Sequence, residues 1–328
     1  MSEQTKPQKV FITGANGFVG RALGQLYRDQ GVEVCGMDIA ADTKHNVVAG
    51  DLLTRGDWQD VMTGCDAIIH TAAFVSNTSP YMKVWEVNVK GTRNVIDAAV
   101  TAKVPRFVQL SSVAAFGFDF DDGVDETAPV CPVGHPYIDS KIASEHVVLA
   151  AHGAGEIETT IIRPGDIYGP GSRPWVILAL EMIRDGKMIL PANGKGVFSP
   201  VYIDDVLDGI QLAASTAAAQ GHIFTIGSGE DVSCEEYYGY FCRFLGKAGP
   251  PRSVSTSVAN ILFEVVGRAE RMLGKPSELG KETIGMLTRK GGYSIAKAQQ
   301  ILGYQPKVKL DDGMQRVKQW LTDEGYLS

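Results

Sequence analysis

Within its first 31 residues the chain passes from an apolar strand through a glycine-rich turn into an amphipathic helix, and that order leaves few folds open. Lys9-Val10-Phe11-Ile12-Thr13 reads as a short buried strand. Gly14-Ala15-Asn16-Gly17-Phe18-Val19-Gly20 follows at once, and Leu23, Leu26 and Tyr27 continue at helical spacing toward Gly31. Glycines so placed permit a tight turn and let backbone amides approach a pyrophosphate at the positive end of the helix. The strand before and the helix after are what separate a phosphate-binding loop from a chance run of glycines. The spacing is G-x-x-G-x-x-G, and Gly14, Asn16, Gly17, Phe18, Val19 and Gly20 are the first candidate dinucleotide contacts.

A second strand, Glu33 to Met37, ends in Asp38. An acidic side chain there accepts hydrogen bonds from both ribose hydroxyls and repels a 2′-phosphate, which favours NAD over NADP. No arginine follows it; the next residues are Ile39, Ala40, Ala41 and Asp42. Asp51-Leu52, after a strand around Val47-Val48, suits an acceptor for the adenine amino group beside an apolar ring contact. Ala67-Ile68-Ile69-His70 reads as a strand giving way to Thr71, Ala72 and Ala73, small residues past which a cofactor can run. His70 reads as a packed strand-end histidine rather than a catalyst.

A further strand, Arg106 to Leu110, delivers Ser111 and Ser112 at its carboxyl end, the edge where open α/β sheets bind ligands. Pro129, Pro132 and Pro136 mark a loop, and a helix is expected from Tyr137 to Ala151, with Glu145 and His146 on solvated positions. On that helix Tyr137 and Lys141 stand one turn apart on one face. A phenol titrates near ~10 in a model peptide. The neighbouring ammonium is expected to favour the phenolate and lower that value toward the working range of a general base. Thr160-Ile161-Ile162 then leads through Arg163, Pro164 and Gly165 to Tyr168-Gly169-Pro170, a strand ending in a rigid turn that can close over the nicotinamide half of a cofactor.

Alternating strands and helices up to Arg163 predict an α/β fold, a doubly wound parallel Rossmann sheet with a smaller, mostly helical C-terminal substrate lobe. The expected division is 1–168 for NAD, with a return segment at about 204–228, and 169–328 for substrate. Helices are expected near Trp175 to Asp185 and over Val258 to Val266, the last with a wide apolar face, and the chain is expected to return through Asp205 to Ser215 and a strand at His222 to Ile226. A net charge of −7 without a basic run argues against nucleic acid. Cys35, Cys65, Cys131, Cys234 and Cys242 lack ligand spacing, so no metal is expected and the thiols read as reduced, in the cytoplasm. The segment Met1 to Gln8 has no apolar core, and no stretch reaches the ~18 apolar residues of a membrane span.

Together Gly14-x-x-Gly17-x-x-Gly20, Asp38, Asp51-Leu52, Ala72-Ala73, Asn88-Val89-x-Gly91-Thr92, Ser111-Ser112, Tyr137-x-x-x-Lys141 and Arg163-Pro164-x-x-x-Tyr168-Gly169-Pro170 resemble the extended short-chain dehydrogenases/reductases, the NAD-dependent epimerase/dehydratase superfamily. The resemblance implies NAD as cofactor, Asn88 beside it, Tyr137 as general acid/base, Lys141 as ribose contact and tuner, and Ser112 as the hydroxyl that holds the reacting oxygen. It also implies a homodimer, through helices around Tyr81 to Ala102 and Tyr137 to Ala151. Nucleotide-sugar members carry an arginine six residues before an Asp-Asp pair, to clamp a diphosphate. Here the pair is Asp204-Asp205 and the position holds Phe198, which cannot do this.

The segment Leu287 to Ala298, with Leu302-Gly303-Tyr304-Gln305-Pro306, is similar to the 3β-hydroxysteroid dehydrogenase-like branch. The expected activity is therefore NAD-dependent interconversion of a secondary alcohol and a ketone on an apolar, steroid-like or long-chain small molecule. Val113, Phe116, Tyr168, Trp175, Phe198 and Pro200 are candidate pocket walls. A nucleotide-sugar epimerase with transient oxidation and a non-catalytic NAD(H)-binding regulator are the alternatives. A dehydratase is disfavoured, because Val113-Ala114-Ala115 stands after Ser112 where an Asp-Glu pair is usual.

Overall fold

The computed structural model describes residues 4–76, 79–272 and 281–327. Its centre is a sheet of seven strands: β1 (Lys9–Thr13), β2 (Glu33–Asp38), β3 (Val47–Ala49), β4 (Ala67–His70), β5 (Arg106–Leu110), β6 (Glu158–Pro164) and β7 (Ile223–Ile226). They lie in the order β7-β6-β5-β4-β1-β2-β3 and are parallel throughout. Parallel strands must be covered on both faces, which is why these segments read as apolar runs. In β1 the alternation is direct: Val10 and Ile12 join one core, and Phe11 the other.

Four helices do most of the covering: α1 (Phe18–Asp29), α2 (Gly91–Thr101), α3 (Pro136–Gly153) and α4 (Ile203–Ser215). On α1 the buried residues Gly20, Leu23, Gly24 and Tyr27 follow helical spacing, and they close the face against the sheet. Helix α3 starts at a proline, whose fixed φ suits a first turn, with His135 as its N-cap. Val95, Ile96 and Ala99 of α2 and Val148 of α3 pack with Phe11, Ile68 and Phe107 on one side. Val206 and Ile210 of α4 pack with Ile12, Ile69 and Val108 on the other.

The chain builds outward from β1 to β3 and then returns to the opposite flank of β1 with β4. A crevice opens at such a reversal, beyond the carboxyl ends of the strands. Gly14 and Ala72 meet there, and Ser112 follows β5 on the same edge.

Beyond β6 a short strand, Asp166–Tyr168, pairs in parallel with Pro200–Tyr202. The remainder is chiefly helical: Leu178–Arg184, Cys234–Phe244, α5 (Thr256–Met272), α6 (Lys281–Leu287) and Leu310–Asp323. The cluster that contains Val10 also contains Phe241, Leu287 and Leu321, so lobe and sheet share one apolar interior. Among the described residues no helix is long and apolar enough to cross a membrane.

Candidate active site

The glycine turn is shaped by contacts that leave no room for a side chain. Gly14 has φ +68°, and a Cβ on it would lie 2.8 Å from the Ala72 backbone. A Cβ on Gly20 would lie 2.2 Å from the Gly14 carbonyl oxygen, so α1 starts directly on the turn. Gly17 caps α1 without a side-chain hydrogen bond, and the first turn carries no acidic residue. Its leading amides are therefore free for an anion, with the helix dipole in its favour. Asp38 stands beside this turn: its Oδ2 accepts from the Asn16 amide at 2.9 Å and its Oδ1 from the Ile39 amide at 2.7 Å. That holds a carboxylate where a ribose would pass. Thr13 ties the turn to β4, its Oγ1 bonded to His70 Nδ1 at 2.7 Å and accepting from the Ala72 amide at 3.2 Å. The Thr71 hydroxyl donates to the Thr13 carbonyl at 2.7 Å. These residues fit a dinucleotide.

His70 itself is fully enclosed, with its Nε2 3.0 Å from Thr92 Oγ1. Burial, with a smaller push from Lys141, lowers its pKa to about 3, so it is a neutral packing group, as its place at a strand end suggested. Asp51 accepts from the Leu53 amide at 2.9 Å and stays exposed, while Leu52 is buried against Gly91. Asn88, buried, donates from Nδ2 to Phe74 O at 3.1 Å and to Ser140 Oγ at 2.9 Å, and its Oδ1 accepts from the Phe74 amide at 2.7 Å. It thereby fixes the loop after β4 against α3, next to Lys141. Gly165 follows β6, where a Cβ would meet the Ser199 carbonyl oxygen at 2.8 Å, and Pro164 pairs with Ile226 of β7.

Ser112, Tyr137 and Lys141 come together. Ser112 sits after β5 in extended backbone and caps the turn Val113–Phe116, its Oγ accepting from the Ala114 amide at 3.1 Å. The same hydroxyl is hydrogen-bonded to the Tyr137 phenol. Lys141 is buried, donates from Nζ to the Leu110 carbonyl at 2.6 Å, and holds that Nζ 6.0 Å from the centre of the Tyr137 ring.

The electrostatics of this trio differ from the expectation. The Tyr137 phenol is pushed up to about 12, because burial outweighs the opposing hydrogen bond from Ser112, rather than being drawn down by the ammonium. Burial also lowers Lys141, to about 8, with the Glu145 charge opposing that fall. Low-dielectric surroundings disfavour the charged form of both groups, and here that effect is larger than their mutual attraction.

Glu145 is a second correction. It is buried, not solvated, and forms a bidentate ion pair with Arg163: Nε to Oε1 at 2.9 Å and Nη2 to Oε2 at 2.6 Å. The Ser111 hydroxyl donates to its Oε1 at 2.5 Å, so this serine, a candidate cofactor contact, turns its side chain into the protein. His146, the next residue on α3, is exposed as expected.

Residues 10–227 match the NAD dependent epimerase/dehydratase family. The chain belongs to that family. Among its relatives are the 2-alkyl-3-oxoalkanoate reductase of Shewanella oneidensis, 27% identical over 95% of this chain and 86% of the relative. The 3-beta-hydroxysteroid dehydrogenase of Mycolicibacterium neoaurum is 28% identical over 96% and 92%. The human sterol-4-alpha-carboxylate 3-dehydrogenase, decarboxylating, is 26% identical over 96% and 89%. Of solved structures, MoeE5 in complex with UDP-glucose and NAD superposes with a TM-score of 0.78 at 23% identity, covering 96% of this chain and 99% of that one. DesIV, a dTDP-glucose 4,6-dehydratase from Streptomyces venezuelae with NAD bound, gives 0.78 at 25% identity, covering 98% and 99%. The protein is thus an NAD-dependent oxidoreductase of the epimerase/dehydratase family, with a Rossmann fold.

Within this family frame the six expected pocket walls divide. Val113 and Phe116 lie on the Ser112 turn; Phe116 has the Arg163 guanidinium 4.6 Å from its ring centre and the Tyr293 ring stacked at 5.8 Å between centres. Phe198 is wholly buried, with ring centres 4.1 Å from Tyr237 and 5.0 Å from Trp175. Tyr168, equally buried, packs edge-on against Tyr202 and Tyr237, and Pro200 is buried on the strand beside it. These rings form one aromatic cluster that sequence cannot distinguish from a pocket wall, since an apolar side chain at a strand end suits either. The apolar residues grouped with Tyr137 are instead Ala114, Ala115, Phe118, Val130, Ile138 and Ile142. Their signal was available: they flank Ser112 and Tyr137 in the chain. A buried pair of Asp166 and Arg289, with Arg289 Nη1 donating to the Tyr293 hydroxyl at 2.9 Å, had no such signal.

Proposed function

We propose that the protein interconverts a secondary alcohol and a ketone on an apolar substrate of steroid, sterol or long-chain character, with Ser112, Tyr137 and Lys141 as its catalytic residues. The observation that carries the reading is the setting of the Tyr137 phenol, hydrogen-bonded to Ser112 and packed against the apolar cluster of Ala115, Ile138 and Ile142, on which Ala114, Phe118 and Val130 also pack. Such surroundings favour a greasy carbonyl compound and offer nothing to a diphosphate. The names of the steroid, sterol and oxoalkanoate relatives point the same way.

Bound NAD(H) supplies the hydride acceptor or donor. In reduction Tyr137 gives a proton to the carbonyl oxygen that Ser112 holds; in oxidation it takes the proton back. With the phenol pushed up to about 12, Tyr137 is protonated at neutral pH before ligands bind, the form that serves reduction. A deprotonated phenol is needed for oxidation, so that direction is expected to quicken as pH rises.

Asp38 is proposed to select NAD. Replacing it by alanine is expected to weaken NADH binding ~10-fold and to admit NADPH, because the repulsion of a 2′-phosphate disappears. Fluorescence titration with the two coenzymes measures both effects. We also propose a cytoplasmic homodimer. Tyr81, Met82 and Val100, exposed on the helical segments before and within α2, support a pairing face there.

The activity itself is tested by NADH consumption with a 3-ketosteroid and a 2-alkyl-3-oxoalkanoate, alongside epimerisation of UDP-glucose. Turnover of an apolar ketone, with UDP-glucose untouched, is the expected outcome. Epimerisation of the sugar nucleotide, or silence toward every ketone despite saturable NADH binding, would replace this reading by the epimerase or by the non-catalytic regulator.

A further inference from the structure

The Glu145 carboxylate takes no part in the chemistry so far. It stands on α3 one turn beyond Lys141 and two beyond Tyr137, so phenol, ammonium and carboxylate share one helix face. It is 2% exposed, and both oxygens are engaged: Oε1 by Arg163 Nε and Ser111 Oγ, Oε2 by Arg163 Nη2. Ser111 precedes Ser112 directly, and its amide donates to the Ile162 carbonyl at 2.7 Å, one residue before Arg163. The ion pair therefore clamps the strand end that presents the Ser112 hydroxyl.

A buried ammonium that donates to a carbonyl gives up its proton readily unless a negative charge lies near. The groups facing Lys141 are few. Tyr137 and Glu145 are on its own helix, neutral His70 on β4, the Leu110 carbonyl on β5 and Arg163 on β6, behind Glu145. Glu145 is the carboxylate of the set. A buried ion pair is a weak source of net stability, since well-packed neutral residues of like volume often serve as well. Its position beside the working residues calls for another role.

We propose that Glu145, held by Arg163 and Ser111, is a positioning residue that keeps Lys141 charged and fixes the strand end bearing Ser112. This rests on the reading of Lys141 as the cofactor-side cation of the Tyr137 site. The Glu145 charge opposes the fall that burial imposes on Lys141, which with that charge present rests at about 8. Lys141 in the parent is thus charged below that value and loses its charge above it.

The test is NADH binding, followed by fluorescence from pH 6 to 10, with ketone reduction measured in parallel. Parent affinity is expected to weaken above pH about 8. In Glu145→Gln the limb is expected to move down by about one pH unit, because the opposing charge is gone; in Glu145→Gln/Arg163→Met it is expected to move in the same direction but less, because the Arg163 cation behind it is gone as well. The double variant leaves no uncompensated buried charge, so it keeps the comparison open if the single one is insoluble. Glu145→Asp retains the charge and is expected to retain the parent limb. Parent-like limbs in the neutralised variants overturn the proposal, as does an equal shift in Glu145→Asp, which would mark a purely structural effect. Full ketone reduction by Tyr137→Phe would instead discard the catalytic reading, while the NADH limb still judges Glu145.

Discussion

Replacement of Tyr137 by phenylalanine is expected to lower kcat about a thousandfold while NADH still binds, a size set by what a positioned general acid or base contributes. The substitution removes one hydroxyl from a ring packed against Ala115, Ile138 and Ile142, so the fold should hold. Ser112 loses its phenol partner yet keeps the Ala114 amide, and the Lys141 bond to Leu110 is untouched. A loss confined to kcat therefore isolates the proton. Single-turnover reduction of a 3-ketosteroid, beside NADH fluorescence and thermal melting, separates the three possibilities. Near-parent turnover would remove the phenol from the reaction, and a loss of NADH binding would make it a coenzyme contact.

The direction of the Tyr137 shift bears on when it acts. A phenol pushed up to about 12 is a donor throughout the neutral range, and the ammonium beside it does not reverse this in the ligand-free protein. Burial defeats the cation because both groups are desolvated together: Lys141 falls to about 8 for the same reason that Tyr137 rises. Any further tuning has to arrive with the ligands. For the proposed reduction, none is needed for the first proton.

What could be read from the chain alone follows from range. The glycine turn and the Tyr137–Lys141 register are local patterns whose neighbours in sequence are also their neighbours in space, and Asp38 is brought to the turn by the regular strand-helix-strand unit between them. The sheet was legible because parallel strands advertise themselves as apolar runs between helical periods. Glu145 was misread because α3 is covered on more than one side, and its partner Arg163 lies on β6, outside any helical periodicity. Asp166 and Arg289 are 123 residues apart, and no spacing rule joins them. The Tyr137 shift escaped for a related reason: desolvation belongs to the assembled fold, whereas a charge one turn away is visible in the letters. Phe198 shows the same limit from the apolar side, since its enclosing rings Trp175 and Tyr237 come from elsewhere in the lobe.

The glycine turn gives the second large effect. Gly20→Ala is expected to weaken NADH binding about a hundredfold and to destabilise the fold by about 1–3 kcal/mol, the usual cost of overpacking. Its Cβ would fall 2.2 Å from the Gly14 carbonyl oxygen and 2.9 Å from the Gly14 carbonyl carbon, distances no rotamer relieves because both partners are backbone. Either α1 tilts away or the turn shifts, and in both cases the leading amides of α1, after Gly17, lose the aim at a pyrophosphate proposed for them. Gly153→Ala is the control: it ends α3, has open space around it and no unusual φ, so alanine there should be neutral or slightly stabilising. NADH titration with thermal melting of both variants decides the matter. If Gly20→Ala bound NADH as the parent does, the close approach of helix and turn would not be what seats the coenzyme, and the amides of α1 would have to be replaced by other donors in the account of binding.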